Sequence, residues 1–368
     1  MEQSSKSVSK RLFSLDVFRG VVMFLLIAEA AGVHESIANI TDGTPAHSLA
    51  LQLQHHPWNG LRFWDMIQPF FMFIVGVAMP FSLRKRLATG SRRAATEHIL
   101  RRCFLLFSFG VLLHCVYNLG PVWELWNVLA QLAFTILIAY SIMHRSHGFQ
   151  IGISVGLLVM TELLYRCYNP EAPYLQNHES FGAWFDMLIM GKTNEGYWVF
   201  VNFIPTAAHT IWGVVCGQLL LTKNPDTQNI KLFLMWGTGI TILGFAMDWV
   251  QITPIVKRIA TTSFTLASGG ISILTLALFY WAIDIKGYKK NWLKIFSVVG
   301  TNSIFIYLFS ETFGHLLFRE FDLLWNTGLF EAFVNYKNWI LLIQALIILL
   351  FLWWVTYFLD KRKIYFKV

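Results

Sequence analysis

The residues best able to do chemistry in this chain are polar side chains set inside or beside long apolar runs. Glu29, Asp65, Gln68, Glu162, Asn202, His209, Asp248, Glu311 and His315 are of this kind, and so are His114, Asn127 and Gln131. A charged group in hydrocarbon costs several kcal/mol unless it faces a cavity or a partner. Most of these residues fall toward one end of their runs, which points to a polar chamber open on one side. The plainer explanation is that helix-end residues snorkel to the interface. Asp65 and His209 resist it, because apolar sequence continues past both. Asp65, Gln68, Met72 and Gly76 share one helical stripe, so the acid faces neighbouring helices. Asp16 and Arg19 stand three apart and read as a pair on one helix face. His55-His56, taken alone, reads as a solvated loop.

The elements that must position these groups are membrane spans. Apolar residues make up 55% of 368 and charged ones only 14%, more apolar surface than a soluble fold of this size can hide. A crossing takes about 20 apolar residues. Ten segments qualify: 12–32, 61–83, 99–118, 123–143, 149–166, 198–221, 231–249, 262–283, 292–314 and 338–360. The run 321–334 is too short and suits an interfacial or re-entrant helix, with a bent eleventh crossing as the alternative. The fold class expected is therefore all-α, a single polytopic transmembrane bundle over 1–368. Of the 29 Lys and Arg residues, 20 fall on one side, in the N-terminal segment, the loop from Arg84 to Arg102, the connections bearing Arg145, Lys223, Lys231, Lys286, Lys289 and Lys290, and the C-terminal tail, which puts both termini on the cytoplasmic side. That bias accounts for the net charge of +8 without nucleic acid. The first apolar run contains Asp16 and Arg19 and lacks a small-residue cleavage site, so it reads as a span and not a removable signal. The four cysteines stand singly, at no metal or redox spacing, and read as packing residues. No P-loop, dinucleotide fingerprint or metal pair is present, so no metal is expected.

Two segments are more specific. Arg11-Leu12-Phe13-Ser14-Leu15-Asp16-Val17-Phe18-Arg19-Gly20 opens the first span. His55-His56-Pro57-Trp58-Asn59-Gly60 leads to Asp65 and then Pro69-Phe70-Phe71-Met72. Together they resemble the heparan-α-glucosaminide N-acetyltransferase family, known for RxxSxDxxRG at its first helix and HxxWNGxxxxD at its second. Weaker likenesses follow at Ile204-Pro205-Thr206, at Pro254-Ile255-Val256-Lys257-Arg258 with Thr261-Thr262-Ser263-Phe264, and at Val299-Gly300-Thr301-Asn302-Ser303. Where that family carries DPEG before the TIP segment, this chain has Tyr197-Trp198-Val199-Phe200. The large N-terminal lumenal region of animal members is absent from the sequence.

The resemblance implies a multi-pass protein of a bacterial inner membrane that moves acetyl from cytosolic acetyl-CoA to a glucosamine-type amine, free or on a glycan, across the bilayer. It assigns catalysis to the loop histidine, here His55. Imidazole suits the task as a base for the amine or as a nucleophile toward the thioester. Asp65 could orient that ring or bind the sugar amine, and the amide of Asn59 or Asn302 could polarise the thioester carbonyl. Trp58, His209 and Glu311 complete the expected substrate site. Arg11, Arg84, Arg92, Arg93 and Arg101 are the candidates for the CoA phosphates, although topology alone explains that charge. Two other readings stand beside the enzyme: an amino-sugar transporter and a membrane scaffold. The Trp-rich helix ends allow a homodimer without requiring one.

Overall fold

The computed structural model describes residues 12–88, 90–222, 226–288, 291–314, 316–317 and 336–366. Arg11, His315 and the segment 321–334 lie outside the described residues. Those described are all-helical, with one isolated backbone bridge and no strand.

The helices are α1 (Phe13–Ala30), α2 (Val33–Thr41), α3 (Ile67–Leu87), α4 (Arg92–Tyr117), α5 (Val128–Ile142), α6 (His147–Tyr168) and α7 (Phe181–Met190). They continue as α8 (Phe203–Leu221), α9 (Asp226–Trp249), α10 (Thr262–Phe279), α11 (Lys294–Thr301), α12 (Ser303–Phe309) and α13 (Lys337–Lys361). Starts are fixed locally by side-chain oxygens. Ser91, Asn127, Ser146 and Ser180 each accept a hydrogen bond from the backbone N–H three residues on.

Among the described residues seven helices are long and apolar enough to cross a membrane, and counting each of two bent pairs as one span brings this to nine. The expected crossing at 123–143 forms a shorter helix, because Asn127 caps α5 and the residues before it run as a loop. One bent pair is α1 with α2, at 67°, where Gly32 takes a left-handed φ of 83°. The other breaks by 74° at Asn302, between α11 and α12.

Burial separates two layers. The hydrophobic windows of α3, α8 and α10 are 72%, 67% and 61% buried within the protein, whereas those of α4, α6 and α9 are only 28%, 28% and 17% buried. The first group is the centre and the second turns apolar side chains outward, toward lipid. Backbone contact holds α3 to α8. A Cβ on Gly76 would lie 2.1 Å from the Thr210 carbonyl oxygen, and one on Gly213 would lie 2.2 Å from that of Phe73. Without a hydrophobic drive between helices in lipid, such close approach of small residues is what packs them. This core carries Asp65 and its neighbours at one end.

Candidate functional site

The carboxylate of Asp65 is the hub. It sits in the 3₁₀ turn Phe63–Met66 that opens into α3 and is 1% exposed. Its Oδ2 accepts hydrogen bonds from the backbone N–H of Arg62 at 2.9 Å and of His56 at 3.2 Å. Its Oδ1 lies 2.9 Å from Nδ1 of His55 and 3.8 Å from Nζ of Lys257. A buried carboxylate is tolerable only with such partners. Arg62 also ties the loop down, donating from its guanidinium to the His55 carbonyl at 3.0 Å.

Lys257 is the residue that sequence reasoning missed. Its ammonium, almost fully buried, is 3.1 Å from the same Nδ1 of His55. The loop bearing it is fixed on every side. Ile255 N–H donates to Asp248 at 2.8 Å and Val256 N–H to the Thr261 hydroxyl at 3.0 Å. The Thr261 and Ser263 hydroxyls both donate to the Pro254 carbonyl, at 2.7 and 2.6 Å. Asn202 donates to the Arg258 carbonyl at 2.7 Å. From the opposite loop, Asn59 bridges Val256 and Gly60 N–H donates to the Ile255 carbonyl at 2.8 Å. The Trp-Asn-Gly run thus holds the lysine loop against the histidine loop. Gly60 is required there: its φ is +144°, and a Cβ would stand 2.6 Å from the His56 ring. The one sequence signal for Lys257 was its place in Pro254–Arg258, a segment whose partners are remote in the chain.

His55 is half-buried and its ring faces that of Trp198 at 5.5 Å, edge on. Lys257 and Arg258 lie over the same indole, at 5.3 and 5.7 Å from its centre. Burial, reinforced by the charge of Lys257, pushes the His55 imidazole down to about 4 despite its bond to Asp65. Burial likewise pushes the Lys257 ammonium down to about 8.

Beside His55 lies a cavity of about 180 Å³ lined by Glu29, His55, Gln68, Lys257, Tyr307 and Glu311 among apolar side chains. The two helix breaks account for both acids. Glu29 ends α1 before its bend, and Glu311 follows α12 in a π turn, Ser310–Gly314. Glu311 accepts from the Tyr117 hydroxyl at 2.5 Å, and Gln68 donates to Gln131 at 2.6 Å.

Of the expected site residues, the structure brings His55, Asp65 and Glu311 to this cavity's walls or support. Trp58 lies just outside, its indole N–H donating to the Tyr174 carbonyl at 2.9 Å. Asn59 acts through its backbone, as above. His209 is wholly buried between α8 and α10, its Nε2 on the Ser268 hydroxyl at 2.9 Å, and does not line the cavity. Neither does Asn302: its amide donates to the Ile364 carbonyl at 2.9 Å and accepts from Phe366 N–H at 3.0 Å, tying the helix break to the chain after α13. Arg84, Arg92, Arg93 and Arg101 are exposed, and Arg93 pairs with Glu97 at 3.0 Å. Arg86 and Arg102 are better covered; Arg86 meets His98 at 2.7 Å, and Arg102 is in electrostatic reach of Arg19.

The fold and the cavity together define a multi-pass membrane protein with a half-buried histidine held between a carboxylate and an ammonium. No family model matches the chain. It is 22% identical over 426 residues to the heparan-alpha-glucosaminide N-acetyltransferase of Homo sapiens, covering 97% of this chain and 60% of that protein. To the Mus musculus protein of the same name it is 22% identical over 433 residues, covering 100% of this chain and 62% of that one. The chain is thus a distant relative of the heparan-alpha-glucosaminide N-acetyltransferases, and it spans about 60% of the length of these curated relatives.

Proposed function

We propose that the protein is a transmembrane acetyltransferase, taking acetyl from cytoplasmic acetyl-CoA and giving it to a glucosamine-type amine on the outer side of a bacterial inner membrane. The observation that carries this is the imidazole of His55, with Asp65 and Lys257 both at Nδ1, which leaves Nε2 as the nitrogen for chemistry at a cavity with two carboxylates. The cavity has the size of a single sugar ring. Glu29 and Glu311 suit the ammonium form of an amino sugar, and Nε2 suits the removal of its proton. That first proton passes from Nε2 to water; the free amine then bonds to the thioester carbonyl carbon and gives a second proton to Nε2, the C–S bond breaks, and the CoA thiolate takes this second proton and leaves as the thiol. In the alternative route Nε2 itself takes the acetyl first and passes it to the amine.

On the inner side, Arg19, Arg86 and Arg102 suit the CoA phosphates better than the exposed Arg84, Arg92, Arg93 and Arg101, because a covered guanidinium is less screened by water. The expectation of ten crossings with both termini cytoplasmic belongs to the same proposal, since it puts these arginines and His55 on opposite sides.

Purified protein in nanodiscs, given acetyl-CoA and glucosamine, should release free CoA and form N-acetylglucosamine. Substitution His55→Ala should abolish both. If proteoliposomes instead take up labelled N-acetylglucosamine without acetyl-CoA, and no CoA is released, the protein is a transporter and this reading falls.

A further inference from the structure

The contacts at Nδ1 of His55 exclude one another. Asp65 Oδ1 at 2.9 Å accepts only if Nδ1 carries a proton. The Lys257 ammonium at 3.1 Å has three donors and no acceptor, so it bonds Nδ1 only if that nitrogen offers a lone pair. One ring nitrogen cannot do both. The choice fixes the other nitrogen too: with Asp65 engaged, Nε2 is the bare, basic atom, and with Lys257 engaged, Nε2 carries the proton.

We propose that Lys257 is a positioning residue that sets the tautomer of His55. In the resting protein its ammonium holds Nδ1 as an acceptor and keeps Nε2 protonated. Lys257 also lines the cavity, so a ligand oxygen there can draw the ammonium away. Nδ1 then takes a proton from cavity water and keeps it in a hydrogen bond to Asp65, while Nε2 returns one proton to water. The ring and the lysine keep their charges, and Nε2 becomes basic only when a ligand is in place. The ligand class is an acyl compound whose carbonyl oxygen accepts from an ammonium. This use of the switch rests on the acetyl-transfer reading, whereas the switch itself rests on the contacts at Nδ1.

The charged groups facing His55 are Asp65, Arg62, Lys257 and Arg258, with Glu29 and Glu311 across the cavity. Lys257 lowers the affinity of His55 for a proton and Asp65 raises it, so removing each should move His55 in opposite directions.

The test reads His55 without turnover. Full-length protein in nanodiscs is treated with diethyl pyrocarbonate, which modifies unprotonated imidazole, across a pH series, and His55 and His56 are resolved by tandem mass spectrometry. The midpoint for His55 should rise by about one pH unit or more in Lys257→Met and in Lys257→Gln, stay near wild type in Lys257→Arg, and fall in Asp65→Asn. A general loss of fold would carry every variant toward the free-histidine value, so the opposite shift in Asp65→Asn separates the two causes. Melting curves of each variant provide a second check. Equal midpoints in wild type, Lys257→Met and Lys257→Gln would overturn the proposal, as would a matching shift in Lys257→Arg. Absence of acetyl transfer alongside the expected shifts would instead sink the function and leave the switch standing.

Discussion

Two clusters of acid, histidine and lysine stand in this protein, and only one has the geometry of a site. In the first, Asp65 and Lys257 converge on one nitrogen of His55 at 2.9 and 3.1 Å, with the lysine 8% exposed and a cavity alongside. In the second, Glu124 divides its oxygens. Oε2 lies 2.6 Å from Nδ1 of His114 and Oε1 lies 2.6 Å from Nζ of Lys192, which is 40% exposed. There the carboxylate meets each partner through a different oxygen, and the hydrogen bonds from Lys192 and His114 hold it below the usual range despite burial. Residue type is the same in both. What differs is whether the cation competes for the imidazole or merely shares its acid, and whether the ring meets a space.

The comparison can be broken by substitution. The largest effect is expected from His55→Ala, which should cost at least ~10²-fold in acetyl transfer measured as CoA release, the usual worth of a positioned base. Asp65→Asn should come next, at about 10-fold or more in kcat, because Nδ1 is then left to Lys257 and Nε2 stays protonated; a wild-type rate would show that Asp65 is only structural. The second cluster should respond in stability and not in rate. Glu124→Gln should lower the melting temperature by about 2–6 °C, as expected for breaking partly buried hydrogen bonds worth ~1–3 kcal/mol, with turnover within about twofold. A larger loss of turnover there would dissolve the distinction.

The smallest effect is on pH-dependent stability. A histidine whose folded pKa is lowered from 6.5 to about 4 favours folding above pH 6.5 and loses that contribution as the pH falls toward 4, because the unfolded chain takes up the proton first. Melting curves between pH 7 and 4 should be flatter in His55→Gln than in wild type.

The membrane architecture was legible in the sequence because bilayer thickness imposes a length and a hydropathy on each span. The break at Asn302 was not legible. An apolar run looks continuous at 292–314, and only the chain after α13, bonding both ends of that amide, reveals the bend. The shortening of the crossing at 123–143 turned on Asn127 acting as a cap, a role that its position among apolar residues did not announce. At the site, Asp65 stood out because it interrupts an apolar stripe. Lys257, in a loop, looked like any other surface cation.

By itself the sequence determined that this chain lives in a bilayer and that His55 and Asp65 belong to one recognisable run. Those properties are local: composition, periodicity and spacing act over a few helical turns. The tertiary structure alone decided that Lys257 and Trp198 meet His55, that Glu29 lines the cavity beside it, and that His209 and Asn302 do not. Such pairings span hundreds of residues and depend on backbone contact at Gly76 and Gly213, on two helix breaks and on one bridged loop, none of which acts on its neighbours in sequence.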